Sequence, residues 1–230
     1  MLNWDMRRFS CIIICFLLMT FHSQAQTPGG AGAQPLNALQ NYRQGRDYEA
    51  QNRTSEANAH YNEAVRICLD EVSRNAAARD TYTVITWTLQ RQRKYTDVIT
   101  WGERGLRIYS DEYRIVETMG EAFFYLGNYE RSLSYMQRYT NALPQGERAS
   151  VAFFFIGEIY RLSQKYHHAD IAYTTALRFE PNIALWWYRL ATVREQIGDR
   201  WPAIEAYQQS LRLNPNYNEA REGLARLQSN

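Results

Sequence analysis

From Ala38 to Gln228 the apolar residues fall at i, i+3, i+4 and i+7, with charged and amide residues between them. That spacing gathers the apolar side chains onto one stripe of an α-helix. No segment shows the residue-by-residue alternation of a half-buried strand, so the pattern predicts helices throughout. Pro144, Pro181 and Pro215 each end a helix, because proline lacks an amide donor and its ring clashes with the preceding turn.

The stripes themselves repeat. Phe153-x-x-Ile156-Gly157-x-x-Tyr160 leads to Ala169-x-x-x-Tyr173 and Pro181, and Trp187-x-x-Leu190-Ala191-x-x-Arg194 leads to Ala203-x-x-x-Tyr207 and Pro215. Gly157 and Ala191 stand 34 residues apart, as do Pro181 and Pro215. The frame resembles the tetratricopeptide repeat, a helix–turn–helix unit of that length. The resemblance implies an all-α fold: a right-handed α-solenoid of tetratricopeptide helix–turn–helix repeats with a C-terminal capping helix.

Carried backwards, the frame predicts about five units, at 38–71, 79–112, 113–146, 150–183 and 184–217, and a polar-faced capping helix over 218–230. The third unit keeps Val116, Met119, Gly120 and Phe123, then Ser132, Met136 and Tyr139. The first two depart most. Leu69 and Ser110 stand in their proline slots, and polar Asn41 and Gln44 replace bulky residues. Extra residues at 72–78 and 147–149 belong to the junctions between units. Gly45, Gly120, Gly157 and Ala191 on first helices, with Ala57, Ala169 and Ala203 on second helices, let paired helices approach closely. No unit buries its apolar face alone, so stability is shared between neighbours.

Arg7 and Arg8 precede the apolar run from Cys11 to Phe21, and Ser23-Gln24-Ala25 supplies small residues at a cleavage site. Residues 1–25 read as a secretory signal peptide. The run is shorter than the roughly 20 residues of a spanning helix, so no integral span is expected after cleavage. A lipid-modified Cys15 fits less well, since bulky Ile14 precedes it. Residues 26–37 form a flexible, glycine-rich leader. Cleavage leaves Cys68 alone, so the fold must hold without a disulfide, with Cys68 as a buried small apolar residue.

Charge and motifs narrow the function. A formal net charge of +2, with basic residues scattered among acids, argues against a nucleic-acid partner. The chain carries no nucleophile elbow, metalloprotease helix, phosphate loop or Cys-x-x-Cys pair. Adjacent His167 and His168 diverge by roughly 100° on a helix and cannot share one ion well, so no metal and no cofactor is expected.

In tetratricopeptide proteins the first helix of each unit lines the inner face. Transferred by frame position, the resemblance nominates Tyr42 and Arg46 in the first unit and Trp87 in the second. From the third it takes Arg114, Glu117, Glu121 and Phe124. The fourth supplies Phe154, Glu158 and Arg161, and the fifth Tyr188 and Glu195. Clustered exposed aromatics mark a binding surface, and Arg46, Arg114 and Arg161 are suited to carboxylates. The lysine-based clamp of chaperone-tail readers is missing, since the chain's two lysines are Lys94 and Lys165.

The expectation is therefore a non-enzymatic interaction scaffold, exported to a bacterial periplasm or envelope, that grips a protein or peptide on its concave face. Two rivals make distinct demands. A ligand-binding accessory subunit of a transport system needs a closed cavity among Trp87, Phe154 and Tyr188. An enzyme needs a carboxyl with a strongly raised pKa, at Glu121 or Glu158.

Overall fold

A computed structural model describes residues 36–229. The expected signal peptide at 1–25, most of the expected leader and Asn230 lie outside the described residues. Among the described residues there are eleven helices and no strand. They are α1 (Ala38–Ala50), α2 (Thr54–Ser73), α3 (Arg79–Arg91), α4 (Tyr95–Ile108), α5 (Tyr113–Tyr125) and α6 (Tyr129–Ala142). There follow α7 (Ala149–Leu162), α8 (Tyr166–Phe179), α9 (Ala184–Ile197), α10 (Arg200–Leu213) and α11 (Asn218–Gln228).

Each helix packs on the next in sequence, which is the arrangement of an α-solenoid. The tightest pairs are α1 with α2, α5 with α6, α7 with α8 and α9 with α10. Glycine sets two of these approaches. A β-carbon at Gly157 would lie 2.6 Å from the Tyr173 ring, and one at Gly45 would lie 2.5 Å from the Tyr61 ring. Both tyrosines are buried, so neither ring can swing away cheaply. Ala169, Ala191 and Ala203 are fully buried in the same layers.

Odd-numbered helices also touch one another across a unit: α1 with α3, α3 with α5, and α5 with α7. Among the described residues no even-numbered pair packs to that extent. Helices α1, α3, α5 and α7 therefore lie along the more crowded side of the stack.

Every turn inside a pair passes through one left-handed residue: Asn52, Arg93, Gly127, Gln164 and Gly198. Glycine adopts that conformation freely, whereas Arg93 and Gln164 hold it at some cost. The buried polar residue at position 41 is satisfied. Buried Asn41 donates to the Leu36 and Asn37 carbonyls and pairs with His60 Nδ1 at 2.9 Å. Asn37 and Gln40 close a reciprocal cap on α1. The extra residues at 72–78 lengthen α2 to Ser73 and add a loop. Cys68 is fully buried, and burial pushes its thiol up to about 12.

Candidate binding groove

The inner stripes of α1, α3 and α5, closed at one side by the α6–α7 junction, enclose a groove of about 830 Å³. The local sequence explains the opening. Tyr42 on α1 and Trp87 on α3 stack with ring centroids 5.6 Å apart and 30° between planes. Both rings are half-buried and line the groove. Arg114 on α5 sits 5.7 Å from the centre of the Trp87 ring.

Three of the groove's four guanidinium groups, those of Arg91, Arg114 and Arg148, are held by the protein's own acids. Arg114 donates from Nε to Glu112 Oε1 at 2.6 Å and from Nη2 to Asp80 Oδ1 at 2.8 Å. Arg91 pairs with Glu49 at 2.7 Å, and the Tyr61 hydroxyl donates to the same carboxylate at 2.6 Å. Arg148, from the α6–α7 junction, reaches Glu117 at 2.9 Å and also contacts Glu121. Its backbone amide donates to the Tyr139 hydroxyl at 3.2 Å. Gln90 Nε2 donates to Glu121 Oε2 at 3.0 Å, while Gln90 Oε1 is buried with no donor.

Glu117 is 3% exposed. Burial and the neighbouring Glu121 carboxylate raise its carboxyl well above the ordinary carboxylate range, against the pull of Arg148. Burial likewise raises the Tyr42 phenol.

Six nominated residues thus share one groove: Tyr42, Arg46, Trp87, Arg114, Glu117 and Glu121. The other six do not join it. Phe124 packs against Phe155 and Tyr129 instead. Phe154 stacks on Trp186 at 5.0 Å, and Tyr188 packs against Tyr217 at 4.9 Å. Glu158 is nearly buried, paired with Arg161 at 2.8 Å, and receives the Tyr173 hydroxyl. Arg189 Nε lies 3.0 Å from the same carboxylate but is not aligned for a hydrogen bond. Glu195 takes a two-pronged contact from Arg226 and a 2.6 Å hydrogen bond from Tyr207. Phe154 and Tyr188 do not line the groove that holds Trp87, and a strongly raised carboxyl is found at Glu117.

Two of the three arginines nominated for carboxylate recognition, Arg114 and Arg161, are already occupied by the chain's own acids. Frame positions alone passed over Arg148, which bridges the acid pair. Its signal was the insertion at 147–149, which brings a junction residue onto the inner face. Among the described residues no group of His, Cys, Asp and Glu could hold a metal ion. Among them, too, no helix is long and apolar enough to cross a membrane.

A tetratricopeptide-repeat family model matches residues 187–217. A chain of the APC/C hetero-tetramer Cut9–Hcn1 superposes with a TM-score of 0.68 at 14% identity, over 83% of this chain and 36% of that one. This chain therefore spans about a third of that relative. The MamA RS-1 ArsTM double mutant gives a TM-score of 0.62 at 13% identity, over 77% of this chain and 94% of that one. YrrB, described as a TPR protein with an unusual peptide-binding site, gives 0.55 at 17% identity, over 80% and 90%. At these identities the likeness is one of fold. No curated protein matches the chain in sequence.

Proposed function

We propose that this chain, whose residues 187–217 match a tetratricopeptide-repeat family model and whose fold is that of a solved protein of that kind, is a non-enzymatic interaction scaffold whose partner segment docks in the groove between α1, α3 and α5. The observation that carries this reading is the stacked Tyr42–Trp87 pair standing open in a groove of about 830 Å³. Most other aromatics on the inner helices are spent on their neighbours. Tyrosine and tryptophan dominate binding energy at interfaces because they bring large rigid area at small entropic cost. A groove suits an extended or helical segment rather than a flat surface. YrrB, of the same fold, is described by its peptide-binding site, which agrees in kind.

The reading includes export to a bacterial envelope, supported by the basic, apolar and small-residue order of residues 1–25. N-terminal sequencing of the protein recovered from a periplasmic extract is expected to begin at Gln26. A chain that retains Met1 in the cytosol ends that part of the proposal.

Affinity capture from envelope extracts tests the groove itself. Baits carrying Tyr42→Ala and Trp87→Ala are expected to lose the proteins held by the unaltered chain. Equal recovery by both baits would place binding elsewhere.

A further inference from the structure

We propose that the docked segment carries a lysine or arginine side chain that enters the groove and meets Glu117 and Glu121; this deepens the groove reading above and rests on it. The argument is one of unbalanced charge. Arg114 is engaged by Glu112 and Asp80, and Arg91 by Glu49. Glu117 and Glu121, one turn apart on α5, share the single guanidinium of Arg148. With both ionised, two carboxylates against one cation leave a negative charge uncompensated in a half-enclosed site, where water screens it poorly.

Hydrogen bonding points the same way. Gln90 gives its amide nitrogen to Glu121 and leaves its oxygen buried without a donor. Acceptors therefore outnumber donors around this pair, and a buried acceptor without a partner is costly. A lysine ammonium brings three donors and no acceptor, and an arginine brings five. The stacked faces of Tyr42 and Trp87 line the same groove and attract cations. Arg46, the lining guanidinium with no ion partner among the described residues, stands on α1 beside Tyr42.

The test begins with a random-peptide phage library selected on the full chain and counter-selected on the Trp87→Ala chain. The best peptide is then titrated beside an analogue in which norleucine replaces its basic residue. Recovered peptides are expected to share a lysine or arginine. The analogue should bind the unaltered chain at least about tenfold more weakly. Its deficit should shrink to about twofold or less on a Glu117→Gln, Glu121→Gln chain whose helicity is unchanged. Peptides that need Trp87 but show no basic preference overturn the charge inference and leave the groove standing. A library that returns no Trp87-dependent peptide overturns both.

Discussion

The two ends of this solenoid handle the same kinds of residue in opposite ways. From α7 onward the inner face is closed upon itself. Phe154 lies on Trp186, Tyr188 lies against Tyr217, and Glu158 and Glu195 are each locked by a tyrosine hydroxyl and by arginine. Between α1 and α5 the aromatic pair of Tyr42 and Trp87 faces an open groove, and the acid pair of Glu117 and Glu121 is half-neutralised. The C-terminal end keeps the repeat pattern most faithfully; the N-terminal end departs from it most. Local rules are obeyed where the chain only needs to stack and are relaxed where it leaves a surface for something else.

The sharpest way to break this contrast is to overpack the closed end. Gly157→Leu drives a side chain into the buried Tyr173 ring, whose edge is 2.6 Å from the position of a β-carbon. A loss of about 3 kcal/mol or more is expected in urea unfolding. A loss below about 1 kcal/mol would show that the α7–α8 contact is loose. At the open end the expected effect falls on binding. Trp87→Ala should cost about 2 kcal/mol or more of affinity for a docked segment. Its effect on folding should be the smaller of the two, because the ring is only half-buried.

Tyr207→Phe separates packing from hydrogen bonding at the closed end. It keeps the ring and removes the donor to Glu195, for a loss of about 1 kcal/mol. Glu117→Gln probes the open end through pH. The carboxyl of Glu117 is raised on folding by burial and by Glu121, and it is faced by Arg148 from the α6–α7 junction and by Tyr139 from α6. A raised carboxyl favours the folded state while it is protonated, and that advantage is lost as pH climbs through the raised value. Glu117→Gln should therefore unfold at a higher temperature than the unaltered chain near neutral pH. The gap should close below the ordinary glutamate pKa of about 4.3. A gap that widens in acid contradicts this account. Arg226→Ala should matter least. Its guanidinium is more than half exposed, and such pairs are worth at most about 1 kcal/mol.

The stacking order of the helices was legible in the sequence because glycine, alanine and proline occupy positions where only backbone geometry decides. Gly157 facing Tyr173 is such a case. The groove was half legible. Frame positions brought Tyr42, Trp87, Glu117 and Glu121 together, since one residue of each helical stripe is carried to the same side in every unit. The same rule failed for Phe154, Tyr188 and Glu158. Whether an inner-face residue stays open depends on long side chains arriving from later in the chain, such as Trp186, Tyr217 and Arg189. Those partners lie outside the repeat frame. Arg148 was missed for a related reason, since an insertion shifts it out of register with every other unit.

The most direct measurement is amide hydrogen exchange on the free chain and on the chain bound to its captured partner. The account expects slowed exchange in α1, α3 and α5 and in the junction around Arg148, with α2, α4 and α10 unchanged. Protection confined to the even-numbered helices, with the Tyr42–Trp87 region exchanging as before, would contradict it.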